Sequence, residues 1–413
     1  KQKILIEKQK KEIFYYFKRT KYLAELIDPL NSDINTKKNL LEIVFKKKNQ
    51  SKIKDKKFQI YNPDKNIILR GIANIVPGSA YLDFYEDNLF LLSTIGIIGY
   101  AKVNDDELIF KQINNNIDDF FKMSQLRKSQ RISTKDLKIF DNKVFVSFIN
   151  EVRDNCWNVS IIFADLNYNE LEFKEWFVPD ECINSLKSED IRFDPDVDRF
   201  DANITGGRII NLYDKFLILS VGEFRSRFLS QDVKSVFGKI LKINIDSRNY
   251  EILTMGNRNP QGLYYDTNND FILETEHGPK GGDEINLIKL NENTIQNYGW
   301  PIASYGEHYG KEEKLYQRYP LLKSHKENGF VEPLKSFQPA IGISEIVGLG
   351  DNNYVVSSMK DMSLYFFKLN KKNQIDNIER IEIGERIRDL IYNQNKIFLF
   401  LEDSASIGII DWN

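Results

Sequence analysis

Six times along this chain, a short turn rich in Asp and Asn leads directly into a run of apolar residues. The turns lie at 86–88, 141–142, 214, 268–270, 351–353 and 393–395. Such turns before apolar strands are hairpin signals. They recur roughly every 60 residues, close to one four-stranded propeller blade with its loops. The apolar runs are continuous, which favours inner strands buried between neighbouring blades. The repeat therefore predicts an all-β fold, a six-bladed β-propeller.

The first 57 residues differ in charge from the rest of the chain. They carry 17 Lys/Arg against 7 Asp/Glu, whereas the remainder carries 41 against 53. Apolar residues in 1–50 recur near the helical period, Pro29 ends a first helix, and 37–45 forms a second. We therefore expect a basic helical N-terminal extension at 1–57 and the propeller at 58–413. The basic helical face is either solvated or lies against a membrane or a protein partner.

Net charge and cysteine content limit which partners the protein can bind and which cellular compartment it occupies. The net charge of −2 gives no case for nucleic-acid binding, and no apolar run reaches the ~18 residues of a membrane-spanning helix. Because the chain starts at Lys1 rather than Met, we expect a processed start, with a signal peptide or membrane anchor before it left open. Cys156 and Cys182 form either one disulfide or two thiols. They bracket a predicted hairpin at 159–177, and we predict the disulfide.

The densest group of ligand-type residues lies between positions 256 and 284. It contains GNRNPQG at 256–262 and ETEHGPKGGDE at 274–284. A strand at 271–274 would bring these cations, amides, carboxylates and Gly-rich turns to one end of a sheet. Polar groups concentrated in this way usually serve a ligand rather than a core.

Four cations stand at comparable places in three repeat units. Arg258 precedes the fourth unit, Lys360 follows the fifth, and Arg386 and Arg388 open the sixth. Side chains two apart on a strand point to the same face, so the last two would present paired guanidinium groups. The four cations are either ordinary surface charges or a site for a small ligand with several carboxylates or phosphates.

Several motifs together resemble the soluble PQQ-dependent aldose sugar dehydrogenases of the glucose/sorbosone dehydrogenase family. The motifs are FGKIL at 237–241, GNRNPQG at 256–262, EHGPKGGDEINLI at 276–288, NYGWP at 297–301 and RIRD at 386–389. The resemblance spans roughly residues 65–413 and also implies a six-bladed propeller. It further implies that pyrroloquinoline quinone (PQQ), a planar tricarboxylate, is held by Arg258, Asn259, Lys360, Arg386 and Arg388.

The resemblance also implies two calcium sites. Backbone carbonyl oxygens of Gly278 and Pro279 would bind a Ca²⁺ that bridges protein and cofactor, since calcium prefers hard oxygen ligands. A second, structural Ca²⁺ would lie near Glu284 and Tyr298, whose separation is stretched in this chain by residues 291–294.

The chain departs from the family pattern at the general base. In the family, a histidine before a Gly-rich turn ending in Arg takes the proton of the sugar hydroxyl. The matching position falls on Asn203 or Ile204, and neither accepts a proton near neutral pH. Asp201 is an alternative base, although a carboxylate with an ordinary pKa is a weaker base than histidine.

The chain has three histidines, none of them in this stretch. We expect His277 to have a structural role beside the site, and His308 and His325 to lie on the surface.

Two functions are therefore left open. The first is a PQQ- and Ca²⁺-dependent dehydrogenase that oxidises an aldose or related alcohol, with an altered or missing base. The second is a catalytically degenerate propeller that binds ligands or takes part in assembly. A propeller lactonase would need a carboxylate-rich metal centre, against which the cations argue. The resemblance places the protein in the periplasm or outside the cell.

Overall fold

The computed structural model describes residues 42–64, 79–121, 133–185, 202–292, 294–309 and 313–412, and strands dominate it. The helical elements are α1 (Ile117–Phe120), α2 (Glu313–Arg318) and 3₁₀ turns at Arg227–Gln231 and Lys326–Asn328. Within these ranges, no helix is long and apolar enough to cross a membrane.

In chain order, the strands are β1 (Glu42–Ile53), β2 (Lys56–Pro63), β3 (Ala80–Tyr85), β4 (Asn88–Ser93), β5 (Ile98–Lys102), β6 (Glu107–Asn115), β7 (Thr134–Phe140), β8 (Lys143–Arg153), β9 (Cys156–Asp165), β10 (Glu170–Leu171), β11 (Lys174–Phe177), β12 (Ile183–Asn184), β13 (Gly206–Leu212), β14 (Phe216–Val221), β15 (Lys239–Asn244), β16 (Tyr250–Met255), β17 (Pro260–Asp266), β18 (Phe271–Glu276), β19 (Asp283–Lys289), β20 (Gln296–Asn297), β21 (Lys335–Phe337), β22 (Ile343–Gly350), β23 (Asn353–Ser358), β24 (Ser363–Leu369), β25 (Ile375–Glu382), β26 (Ile387–Asn393), β27 (Lys396–Leu401) and β28 (Ser406–Asp411).

Antiparallel pairing groups these strands into six blades. Blades 1 to 6 begin with β3, β7, β13, β17, β22 and β26, and later strands follow outwards. The fourth strand of blade 6 is β2, whereas β10 and β20 pair with β6 and β16. The six first strands contact one another in a closed ring, β3 with β7, then β13, β17, β22, β26 and back to β3. The predicted six-bladed propeller is confirmed.

Each predicted Asp/Asn turn joins the first strand of a blade to the second. Both residues of the turns at Asp141-Asn142 and Asp351-Asn352 have positive φ, as hairpins of the I′ type require. The apolar runs after the turns are the second strands, such as β4, which is buried along its whole length. In the strand order of each blade they are second and not innermost. The innermost strands carry the polar side chains described below.

The N-terminal hairpin closes the propeller. Strand β2 pairs with β28 of blade 6, and β1 pairs with both β2 and β6 of blade 1, so one continuous sheet joins the two blades. The predicted helix at 37–45 is wrong from Glu42 onwards, since long-range pairing with β6 overrides a local helical pattern. The first predicted helix lies outside the described residues.

Carboxylates on the innermost strands tie neighbouring blades together. Each accepts a backbone N–H from an adjacent innermost strand: Asp83 from Ile139 (2.7 Å), Asp136 from Ile209 (2.8 Å), Asp389 from Leu82 (2.6 Å) and Glu345 from Leu263 (3.1 Å). These bonds replace strand-to-strand ladders between blades and hold the channel closed.

Arg208, on the first strand of blade 3, lies among three of these carboxylates. Its guanidinium is 3.0 Å from Asp136, 2.5 Å from Glu345 and 2.9 Å from Asp389, and its side chain is 7% exposed. Burial raises the pKa of Asp136 to about 7, and the Arg208 charge opposes that rise. The channel thus contains a buried cluster of one guanidinium and three carboxyl groups.

The predicted disulfide is confirmed. Cys156 at the start of β9 is bonded to Cys182, which lies just before β12. The bond closes a loop of 26 residues around the predicted hairpin of β9 and β11.

Candidate functional site

A cavity of about 760 Å³ opens at the end of the propeller opposite the six Asp/Asn turns. Because strands alternate in direction, the connections between second and third strands and those between blades both lie at this end. The cavity is lined by residues 277–281 and 283, by parts of the 305–323 loop, by residues 338–340 and 342, and by Met359, Lys360 and Arg386. Blades 4, 5 and 6 therefore supply the described wall.

The Gly-Pro turn between β18 and β19 is fixed by Asp283. One oxygen of this carboxylate accepts the Gly278 N–H at 3.1 Å, and the other accepts the Gly342 N–H of blade 5 at 2.7 Å. Gly282 has a φ of +72°, and a Cβ on it would lie 2.4 Å from the backbone nitrogen of Gly306. Glycine at this position lets the turn and the 305–323 loop meet as two walls of the cavity.

Two of the four predicted cations, Lys360 and Arg386, line the cavity. Lys360 follows β23, where its backbone N–H donates to the Ile341 carbonyl at 3.0 Å. Arg386 immediately precedes β26. Residues over 20 positions apart in sequence thus face one space, as their comparable places in blades 5 and 6 predicted.

Arg258 and Asn259 lie behind the described wall, where they support two turns. Arg258 Nη1 donates to the carbonyl oxygens of His277 and Gly278, both at 2.8 Å. Asn259 Oδ1 accepts the backbone N–H of Gly206 at 3.1 Å. Burial lowers the pKa of Arg258. These two residues connect the Gly-Pro turn of blade 4 to the Gly-Gly turn of blade 3.

Arg386 and Arg388 share one carboxylate, that of Glu402. Arg386 Nε donates to Glu402 Oε2 at 3.1 Å, and Arg388 Nε donates to Glu402 Oε1 at 2.5 Å. The two guanidinium groups are therefore neighbours on one carboxylate. Sequence reasoning missed Glu402. The signal was its place directly after the apolar run at 397–401, at the end of the propeller that carries the site.

The predicted metal residues fall in two places. Gly278 and Pro279 line the cavity, whereas Glu284 and Tyr298 are buried outside its lining. Glu284 Oε1 lies 3.5 Å from Nε2 of His325. Among the described residues, no group of three or more His, Cys, Asp or Glu side chains has the arrangement of a metal site.

Glu284 nevertheless belongs to a buried group rich in oxygen atoms. In the β18–β19 ladder, Glu276 stands opposite Glu284, and Glu274 stands opposite Asn286. Glu274 Oε1, Glu276 Oε2 and Asn286 Oδ1 have no hydrogen-bond partner within the described structure. Burial raises the pKa of Glu276 to about 7 and that of Glu284 well above its ordinary value. Buried oxygen atoms without donors fit a hard cation such as Ca²⁺.

The structure places Asn203 and Ile204, the two residues expected at the base position, in the turn before β13. Asn203 is exposed and Ile204 is buried, and neither is in the described lining of the cavity. The Ile204 carbonyl accepts the Phe224 N–H at 2.9 Å, which holds the turn against blade 3. Asp201 lies outside the described residues.

The histidine predictions are partly wrong. His277 lines the cavity, with Nδ1 3.9 Å from Asp283 Oδ1, and burial lowers its pKa to about 4. His308 and His325 are not surface residues, since they are 5% and 1% exposed. The loop between β20 and β21 packs against itself, since the His325 ring stacks on Tyr305 with centroids 5.4 Å apart and His308 Nε2 lies 2.8 Å from the Tyr319 carbonyl oxygen.

One family model covers most of the propeller. The model described as Glucose / Sorbosone dehydrogenase matches residues 184–410, more than half of the chain.

Curated relatives match over part of their length. An uncharacterized protein of Synechocystis sp. is 31% identical over 215 residues, covering 45% of this chain and 50% of its own. Aldose sugar dehydrogenase of Escherichia coli is 25% identical over 225 residues, covering 49% of this chain and 58% of its own. The chain spans about half the length of the curated relatives it matches.

Solved structures match over more of the chain. The apo-form of soluble aldose sugar dehydrogenase from Escherichia coli has a TM-score of 0.62 at 18% identity, covering 81% of this chain and 96% of that one. The PQQ-bound form of aldose sugar dehydrogenase from Streptomyces coelicolor has a TM-score of 0.58 at 18% identity, covering 78% and 90%. At these identities the matches show a shared fold.

Proposed function

The chain belongs to the glucose/sorbosone dehydrogenase family, and from that premise we propose that its cavity binds PQQ together with Ca²⁺. One observation carries the proposal. Lys360 and Arg386 line the same cavity as the Gly278–Pro279 turn, so two cations and a Gly-Pro turn share one space.

The cavity suits a planar tricarboxylate. Its volume, about 760 Å³, is in the usual range for small-molecule sites. Lys360 and Arg386 bind carboxylates of the cofactor, with Arg388 beside them on Glu402. Arg258 and Asn259 hold the turns on which the cofactor rests. When bound, PQQ supplies the two-electron acceptor for an alcohol.

Two calcium ions are part of the proposal. Carbonyl oxygens of Gly278 and Pro279 bind the first; the Gly278 carbonyl has two lone pairs and already accepts a hydrogen bond from Arg258. Glu284 and Tyr298 bracket the second, in the buried group of oxygen atoms that includes Glu276.

The substrate proposed is an aldose or a related alcohol, and the base that takes its proton is altered or missing. General-base assistance is typically worth about 10²–10⁴ in rate. Because Asn203 and Ile204 offer no proton acceptor, a second function is also supported: a degenerate propeller that keeps the cofactor pocket and acts in binding or assembly.

The proposed location is periplasmic or extracellular. The Cys156–Cys182 disulfide supports an oxidising compartment. The N-terminal segment remains our candidate for contact with a membrane or a protein partner, given its excess of Lys and Arg.

Reconstitution tests both functions. Apo protein is titrated with PQQ in the presence of Ca²⁺ and then assayed for dye reduction over a panel of aldoses and alcohols. Binding with turnover supports the dehydrogenase, and binding without turnover supports the degenerate module. Failure to bind PQQ refutes both cofactor proposals.

Variants at the base position give a sharper comparison. Ile204→His and Asn203→His are each reconstituted and assayed beside the wild type. We expect one of them to raise turnover by about 10²-fold or more, since it restores a proton acceptor. If neither variant changes turnover, loss of this base does not limit the reaction.

A further inference from the structure

One buried carboxylate holds both arginines at the sixth blade. Glu402 follows β27, its side chain is 1% exposed, and its two oxygens accept the Nε–H of Arg386 and of Arg388 separately. Burial alone would raise the pKa of Glu402, but the Arg388 and Arg386 guanidinium groups outweigh it and hold that pKa below its ordinary value. Glu402 is therefore ionised at neutral pH.

The position of Glu402 is itself fixed from two sides. Its backbone N–H donates to the Arg386 carbonyl at 2.8 Å. The hydroxyl of Ser79, at the start of blade 1, donates to Oε1 of Glu402. Asp403 Oδ2 accepts the Arg386 backbone N–H at 3.1 Å. Neither the carboxylate nor the Arg386 backbone can turn away without breaking these bonds.

Contact through Nε leaves the outer end of the Arg386 guanidinium for a ligand in the cavity, while Arg388 braces the same carboxylate from the other oxygen. A guanidinium has five N–H donors, and only the Nε–H of each arginine is directed to Glu402. Arg386 lines the cavity, and its Nη2 lies 3.6 Å from Sδ of Met359. The carboxylate also stands between two like charges that would otherwise repel each other.

We propose that Glu402 is a positioning residue that presets Arg386 and Arg388 for a carboxylate-bearing cofactor. The proposal rests on the proposed function. Two effects of Glu402 oppose each other: it fixes the arginines in place, and its negative charge competes with the ligand for them. We infer that presetting outweighs competition, because a long, flexible arginine side chain would otherwise lose its rotamer freedom on binding the cofactor.

The test is an equilibrium titration of apo protein with PQQ at fixed Ca²⁺, followed by tryptophan fluorescence. Trp300 is a natural reporter, since its ring lies 5.3 Å from the Arg258 guanidinium. E402Q keeps the shape but loses the charge, and E402D keeps the charge on a shorter arm. E382Q is the control, because Glu382 lies 3.8 Å from the exposed Arg380.

We expect E402Q to raise the Kd for PQQ at least tenfold, E402D to raise it about threefold or more, and E382Q to leave it unchanged. Melting temperatures of the apo proteins separate the roles, since a purely structural Glu402 would lower the Tm without changing the Kd. An unchanged or lower Kd in folded E402Q overturns the proposal. If E402Q does not fold, an unchanged Kd in E402D overturns it. Absence of PQQ binding by the wild type refutes the proposed function instead.

Discussion

Replacing Arg208 by Met tests whether the ionic cluster holds the propeller together. The variant keeps a side chain of similar length but leaves Asp136, Glu345 and Asp389 without their shared cation. Removing one partner of a buried ion pair costs about 3–5 kcal/mol. We expect R208M to lie at the upper end, because three carboxylates depend on this one guanidinium.

The expected loss converts into a shift in melting temperature. An unfolding entropy of about 2.1 cal/mol/K per residue gives about 0.9 kcal/mol/K for 413 residues. A loss of about 4 to 5 kcal/mol then lowers the Tm by about 5 °C, provided that the chain unfolds as one unit.

The loss should also depend on pH. In the folded wild type, burial raises the pKa of Asp136 to about 7, and burial raises the pKa values of Glu345 and Asp389 as well. Without Arg208 these folded-state pKa values rise further. A carboxyl group with a raised folded-state pKa stabilises the fold at low pH. This contribution is lost as the pH rises from the ordinary pKa of the group to its folded-state pKa. The deficit of R208M relative to wild type is therefore largest near pH 8 and shrinks towards pH 5.

The assay is calorimetric or fluorescence-detected unfolding of both proteins at pH 5 and pH 8. Arg380→Met is the matched control, because its bond to Asp361 at 2.6 Å is partly exposed and is worth less than about 1 kcal/mol. The reasoning fails if R208M loses no more stability than R380M at pH 8. It also fails if the deficit of R208M is the same at both pH values.

Two further changes test other parts of the structure. Replacing both Cys156 and Cys182 by Ser should lower the free energy of unfolding by about 3.5 kcal/mol, from the closure entropy of the 26-residue loop; equal denaturant midpoints for variant and wild type would contradict this. Gly282→Ala should lower the Tm and weaken PQQ binding about tenfold, since its Cβ would meet the backbone of Gly306. Gly350→Ala is its control, with φ of +90° and open space around the Cβ; similar PQQ affinities for the two variants would rule out crowding at the cavity.

The blade count was predictable because turn chemistry is local. Asp141-Asn142 and Asp351-Asn352 adopt the positive φ values that favour Asn and Asp, and each turn marks one hairpin. The end of the propeller that carries the cavity was predictable for a related reason. Because strands alternate in direction, Lys360 and Arg386 must lie at the same end as the Gly-Pro turn. Neither conclusion needed knowledge of side-chain partners.

The wrong predictions concern long-range contacts. Glu42 begins a strand rather than continuing a helix, because β6 and β2 offer that strand backbone partners on both sides. His308 and His325 are buried because the segment between β20 and β21 packs against itself and against Arg227 and Glu284 of blades 3 and 4, which its polar local sequence does not indicate. Local pattern is a weak guide wherever distant segments decide burial.

By itself, then, the sequence determined the strand repeat, the end of the propeller that carries the site, and the residue types available there. Those properties depend on backbone preferences within a few residues. Only the tertiary structure decided which charges meet: Arg208 reaches Asp389, 181 positions away, and Glu402 reaches both Arg386 and Arg388. Ring closure of the six blades creates these contacts, because it brings strands from both halves of the chain around one buried channel where each charge requires a partner.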